Sequence, residues 1–127
     1  MAGELIVIIE DNEKNRKLVR DVLQFKGYKT LETETAEEGL KLAREALPAL
    51  ILMDIQLPGM DGITALKQLR ADPKTKGIPV IAVTASAMTH NRETMLAEGF
   101  DGYQTKPISV NDFLEEVRRV LDARGKP

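Results

Sequence analysis

The feature that most constrains this chain is an alternation that runs its full length: short apolar, β-rich runs separated by longer amphipathic stretches. Leu5-Ile6-Val7-Ile8-Ile9 has no polar residue alternating in, as expected of a strand covered on both faces. Residues 13–26 place Leu18, Val19, Val22, Leu23 and Phe25 at helical spacing, and Gly27 then stops the helix. A short strand follows at 29–33. Thr35-Ala36-Glu37-Glu38 has the form of a capping box, and the helix it opens carries Leu40, Ala43 and Leu47 inward. A third apolar run, Ala49-Leu50-Ile51-Leu52-Met53, ends abruptly in Asp54, and Asp61 is placed to cap a helix carrying Ile63, Leu66 and Leu69. Pro79-Val80-Ile81-Ala82-Val83 reads as a fourth strand, 88–98 as a weaker helix before Gly99, and 102–104 as a short fifth strand. A last helix from about Ser109 buries Val110, Phe113, Leu114, Val117 and Leu121.

Repeated β-then-α units imply a parallel sheet with helices on both faces, because parallel strands need crossover connections. Five units are too few for an eight-fold closed barrel, so the sheet is open and doubly wound. A reactive centre on such a sheet belongs at the carboxyl ends of its strands. With 127 residues the chain fits one domain, 1–127. A composition 43% hydrophobic and 30% charged excludes a disordered chain. No apolar run approaches the roughly 20 residues of a membrane helix. Met1-Ala2-Gly3-Glu4 lacks the basic flank of a signal peptide, so a cytoplasmic location is the default. Without cysteine, and with His90 the single histidine, there is neither a thiolate nucleophile nor the material for a zinc site. A net charge of -2 does not favour nucleic acid, and Arg118, Arg119 and Arg124 alternate with Glu115, Glu116 and Asp122 as a mixed solvated face.

Polar residues close the strands: Glu10-Asp11 the first, Asp54 the third, Thr84 the fourth, with Thr105-Lys106-Pro107 after the fifth. If the strands are parallel, all of these lie on one sheet edge. Carboxylates crowded there raise one another's proton affinity. A divalent cation removes the conflict, and hard oxygen ligands with spare water positions suit Mg²⁺. A nucleophilic carboxylate, a metal, a hydroxyl and an ammonium together make an anion-transfer site of the kind phosphoryl transfer requires. Singly, each residue has a plainer use, Asp54 as a turn or helix cap and Lys106 as an exposed loop lysine. Their coincidence at one end of different strands favours the site.

In order, Glu10-Asp11, Met53-Asp54 with Pro58-Gly59-Met60-Asp61-Gly62, Val83-Thr84-Ala85 and Lys106-Pro107 resemble the motifs of the response-regulator receiver domain, across essentially the whole chain. The wording EDNEKN, LILMDIQLPGMDG, IPVIAVTASAM and TKPISVNDFL looks most like the stand-alone cell-division regulators of the DivK type, and receiver domains of hybrid kinases share much of it. The resemblance implies a CheY-like, flavodoxin-like five-stranded sheet of order 2-1-3-4-5. It implies that Asp54 takes a phosphoryl group from a kinase phosphohistidine. Asp11 would hold Mg²⁺ directly and Glu10 through water, with Asp54 and the backbone carbonyl of Gln56 completing the ligands and Mn²⁺ able to substitute. Lys106 would pair with the phosphoryl oxygens, and Thr84 would move its hydroxyl onto them. Tyr103 matches the switch aromatic, expected to turn from exposed to buried as Thr84 moves. The peptide before Pro107 is a cis candidate, and Gln56 and Ser86 occupy positions that tune the acyl-phosphate lifetime.

The same resemblance implies a phosphoacceptor signalling protein, catalysing only its own phosphoryl transfer and autodephosphorylation. After about Gly125 no residues remain for an output domain, so the signal is expected to leave through 88–98, 102–104 and 109–121. Thr89 and Arg92 are candidates for that face, Met95 reads better as core, and His90 as a solvated first-turn residue. Kinase docking is expected on Asn15, Leu18, Pro107 and Ile108. The implied partners are histidine kinases and a histidine phosphotransfer protein or adaptor, with the chain a monomer or weak homodimer. Serving as a relay intermediate, or signalling as an unphosphorylated pseudo-receiver, are the alternatives. Flavin binding is disfavoured because Glu10-Asp11-Asn12-Glu13 would repel a phosphate. A haloacid-dehalogenase-type hydrolase would need an acid where Gln56 stands.

Overall fold

A computed structural model describes residues 3–124, and the alternation becomes ten elements in strict sequence. They are β1 (Leu5–Ile9), α1 (Glu13–Phe25), β2 (Lys29–Thr33), α2 (Ala36–Ala46), β3 (Leu50–Asp54), α3 (Gly62–Ala71), β4 (Val80–Thr84), α4 (Arg92–Glu98), β5 (Gly102–Thr105) and α5 (Val110–Arg124). Met1, Ala2 and 125–127, on which the expectations about a leader and a further domain rest, lie outside the described residues, as does the Arg124 side chain.

All strand pairs are parallel, and the order is β2-β1-β3-β4-β5. β3 and β4 are buried at every position, which explains why their sequences show no alternation. Successive residues nonetheless serve opposite faces. Val7, Ile9, Ile51, Met53, Val80 and Ala82 pack with α2, α3 and α4, while Ile6, Ile8, Leu50, Leu52 and Ile81 pack with α1 and α5. Burying each large aliphatic side chain stabilises the sheet by about 1.5–3 kcal/mol. The register Ile9↔Met53, Asp54↔Val83 and Thr84↔Thr105 brings the polar strand ends level on one edge.

Several expected inward residues point elsewhere. In α1 the core stripe is Val19 and Leu23 with the partly buried Val22 packed against it, whereas Leu18 and Phe25 form an outer stripe rotated toward solvent, with Phe25 87% exposed. Helical spacing alone merges two neighbouring stripes into one face. Leu47 lies beyond the end of α2 as its left-handed cap, at φ 47°, and is exposed. Val110, the first residue of α5, is also exposed, and Leu114 only packs against the core rim. The capping box is half formed: Thr35 Oγ1 accepts the Glu38 amide at 3.2 Å, but the Thr35 amide turns to Thr33 Oγ1 and not to Glu38. The fourth helix begins at Arg92, later than expected, because Asn91 caps it by accepting the Thr94 amide. Met88 is left in an exposed turn, and Met95 lies in the core. His90 therefore precedes the helix and is half-buried, with Nδ1 enclosed and without a hydrogen-bond partner among the described residues.

Candidate phosphoacceptor site at the carboxyl edge of the sheet

The β-strands end where their apolar runs end, so each delivers one polar side chain to the same edge. β1 hands over Glu10, which is buried, and then the exposed Asp11. The Asn12 side chain caps α1 by accepting the Asn15 amide, and the Asn12 amide donates to Glu10 Oε2 at 3.1 Å. This turns the chain sharply and leaves both acids at the mouth. Arg16 fixes the turn from α1 by donating to the Glu10 carbonyl at 2.9 Å while pairing with Glu32 on β2.

Asp54 ends β3 at 2% exposure, and its Oδ1 accepts the Gln56 amide at 3.0 Å. The chain then turns into α3, whose cap Asp61 accepts the Thr64 amide at 2.8 Å. Across the mouth, Lys106 Nζ lies 2.9 Å from Asp54 Oδ2 and 2.8 Å from Glu10 Oε1. Thr84 is fully buried at the end of β4, where its Oγ1 accepts the Ser86 amide and its carbonyl accepts the Lys106 amide. The Lys106-Pro107 peptide is cis.

The charges are unevenly balanced. Burial pushes the Glu10 carboxyl up to about 7, a hydrogen bond from Lys106 opposes this, and the neighbouring Asp54 carboxyl reinforces it. For Lys106 burial works against the charge, but its bonds to Glu10 and Asp54 hold the ammonium above the ordinary lysine range. Oxygens of Glu10, Asp11 and Asp54 all lie within 4.8 Å of one another. Three carboxylates against one ammonium leave an excess that a divalent cation neutralises. An all-oxygen donor set with an open, water-accessible side at Asp11 fits Mg²⁺, whose octahedron keeps several waters.

The expected residues fall into four groups. Glu10, Asp11, Asp54 and Lys106 meet directly, with Gln56 and Ser86 beside Asp54 and Thr84 through their amides. Asn15 and Ile108 share with Glu10, Asp54 and Lys106 the lining of one small hollow, while Pro107 is exposed and lies outside that lining. Leu18 stands apart from that hollow on the outer stripe of α1. Tyr103 sits inward, 6% exposed, with its hydroxyl donating to the His90 carbonyl at 2.6 Å. Arg16 carries no signal in the sequence, and Glu116, expected on a solvated face, is instead buried, because both act through partners distant in the chain.

The family model of the response regulator receiver domain matches residues 6–118. The polar-differentiation response regulators DivK of Brucella ovis and Brucella melitensis are 47% identical to this chain over 116 residues, spanning 91% of it and 94% of theirs. The receiver domain of a sensor histidine kinase from Pseudomonas aeruginosa PAO1 has a magnesium ion coordinated in its active site cleft. It superposes with a TM-score of 0.87 at 30% identity, covering 95% of this chain and 99% of that one. A CheY-like response regulator receiver domain protein from Methanospirillum hungatei superposes with a TM-score of 0.86 at 31% identity, covering 97% of each chain.

Proposed function

The chain belongs to the response regulator receiver family, and we propose that it accepts a phosphoryl group from a histidine kinase on Asp54. The signal then leaves as a phosphorylation-biased change in protein binding. The observation that carries the assignment to Asp54 is the triad of buried Glu10 and Asp54 with partly buried Lys106, joined at 2.8 and 2.9 Å on the carboxyl edge of the sheet.

In the transfer, a carboxylate oxygen of Asp54 forms a bond to phosphorus as the bond from phosphorus to the kinase imidazole nitrogen breaks. The electron pair leaves with the imidazole. Because the transferring group is loosely bonded to both sides, positioning and charge stabilisation supply most of the rate. Lys106, now shared between two carboxylates, pairs with the phosphoryl oxygens and keeps Glu10 company from its other side. The Gln56 amide already holds one oxygen of Asp54, which orients the carboxylate. Glu10, Asp11, Asp54 and the Gln56 carbonyl are the residues that would hold Mg²⁺, which would supply charge neutralisation of the phosphoryl oxygens. Thr84 exchanges its bond from the Ser86 amide for one to the phosphoryl group, and in doing so draws the 85–90 loop inward. Gln56 and Ser86 flank the approach of water and so set how long the acyl phosphate lasts.

No helix among the described residues is long and apolar enough to cross a membrane. The cytoplasm is the compartment we assign, with histidine kinases and a phosphotransfer protein or adaptor as partners. The DivK relatives are polar-differentiation response regulators, and that likeness is consistent with a role in cell-cycle control. The test is the intact mass after incubation with Mg²⁺ and a small-molecule phosphodonor. One added phosphoryl group, labile to hydroxylamine and lost both in Asp54→Asn and without metal, is the expected result. Uptake that survives in Asp54→Asn overturns the assignment.

A further inference from the structure

We propose that Arg92 and Glu116 form a latch across α4 and α5 that sets how much of the time Tyr103 sits inward, separately from the chemistry at Asp54; the signalling meaning of the latch rests on Tyr103 being the switch. The Glu116 side chain is 8% exposed, yet three donors from three elements converge on it. Its Oε2 accepts the Tyr103 amide of β5 at 2.8 Å and Arg92 Nη1 of α4 at 3.3 Å, and its Oε1 accepts Arg119 Nε of α5 at 3.1 Å. The approach depends on Gly102, because a Cβ there would stand 2.9 Å from Glu116 Oε2.

β5 is an edge strand, paired among the described residues only with β4. The Tyr103 amide and carbonyl point away from β4, and side chains take the place of a sixth strand. Glu116 accepts the amide, and Arg92 Nη2 donates to the carbonyl at 3.3 Å. The Arg92 guanidinium also lies over the Tyr103 ring, 5.5 Å from its centroid. At the far end of the ring the hydroxyl is held by the His90 carbonyl, two residues before Arg92. Tyr103 is thus gripped at amide, carbonyl, ring and hydroxyl by the start of α4 and by α5.

Arg92 is the first residue of α4, where a cation opposes the helix dipole. Half-exposed, it could extend into water, but it folds back over Tyr103. None of these contacts uses Glu10, Asp11, Asp54, Thr84 or Lys106. A contact outside the phosphorylation site that favours the inward position does so whether or not Asp54 is acylated, and it shifts the starting population. Arg92 and Glu116 are therefore positioning residues for Tyr103. The chain's own α4–α5 pairing decides how far the switch is already thrown before a phosphoryl group arrives.

The chain has two tyrosines and no tryptophan, so in a Tyr28→Phe background Tyr103 is the only tyrosine emitter. Acrylamide quenching of that emission reads its exposure. Arg92→Met keeps the aliphatic bulk and should raise the outward population about two- to five-fold, the factor that one exposed cation–π contact is worth. Arg92→Lys, which retains a charge for Glu116, should fall between. Phosphoryl uptake at Asp54, followed by intact mass, should stay at the parent's level in both. A Tyr103 as shielded in Arg92→Met and in Glu116→Gln as in the parent overturns the latch. Adding beryllofluoride and Mg²⁺ to Arg92→Met, whose Tyr103 starts further outward, tests the switch itself: a Tyr103 that does not return inward there removes the switch reading while the latch measurement stands on its own.

Discussion

Glu10 and Asp11 are neighbours in the chain, yet the first is buried against Lys106 and Asp54 and the second faces water. For Glu10 this means competition between a proton and a metal. Its folded-state pKa, about 7, lies above the ordinary value of 4.5, so the folded protein disfavours the charged form. In the metal-free protein its contribution to stability is fully present below pH 4.5 and is lost as pH rises through 7. Metal binding carries the opposite sign, since the ligand must be deprotonated. Mg²⁺ affinity should rise with pH and level off above about 7, falling about ten-fold per unit below it. Calorimetric titrations between pH 5.5 and 8 (chosen about the Glu10 value) check this, and Glu10→Gln should flatten the profile. An affinity independent of pH in the parent protein would show that Glu10 is already ionised there. That the acids gather at a strand edge was legible from the sequence. How differently two adjacent carboxylates are solvated was not, because burial is set by what packs around each of them and not by their neighbours in the chain.

At the scale of elements, the join between β3 and α3 matters most for the site. Gly62 opens α3 directly behind Asp54, and its amide donates to the Ile55 carbonyl at 3.0 Å. A Cβ at this position would come 2.7 Å from the Asp54 carbonyl oxygen and 2.9 Å from Ile55 Cα, both backbone atoms that cannot rotate away. Gly62→Ala should therefore cost about 1–3 kcal/mol, measured by urea unfolding. It should also slow phosphoryl uptake by displacing the acceptor, and an unchanged rate at reduced stability would separate the helix start from the chemistry. The strands read well from the sequence because runs such as Leu50-Ile51-Leu52-Met53 are apolar on both faces and stop at a polar residue. Helix ends read less well. Asn91 outcompetes Met88 as a start because its side chain satisfies a first-turn amide, while spacing of apolar residues alone continues through the turn.

For the whole molecule, stability in acid depends on carboxylates that bind elements together. Burial opposes the charge on Glu116, but the bonds from Arg119 and the Tyr103 amide, with the charges of Arg119 and Arg92, hold its carboxyl below the usual range. Its folded-state pKa is thus depressed. The stability it supplies is present above the ordinary pKa of 4.5 and is lost as pH falls through the folded value. Urea unfolding at pH 7 and pH 3.5 (either side of that 4.5) should show the parent losing more than Glu116→Gln. Equal losses would assign the acid sensitivity to other groups. A second long-range tie, Arg118 Nη2 to Glu4 Oε2 at 3.0 Å, joins α5 to the approach of β1 across 114 residues. Such ties connect the described ends of the fold, and no local pattern announces them.

By itself the sequence determined the alternating parallel architecture, the edge on which Glu10, Asp11, Asp54, Thr84 and Lys106 collect, and the turn after Asp54. Those follow from period, run length and capping chemistry, which act over a few residues. Only the tertiary structure decided that Glu10 is buried while Asp11 is not, that Phe25 and Leu47 face outward, and that Tyr103 is held inward by Arg92 and Glu116. These depend on which groups meet across the sheet and how much water they lose in meeting. Both are properties of the packed chain, because the free energy of a charge is set by its surroundings and not by its neighbours in sequence.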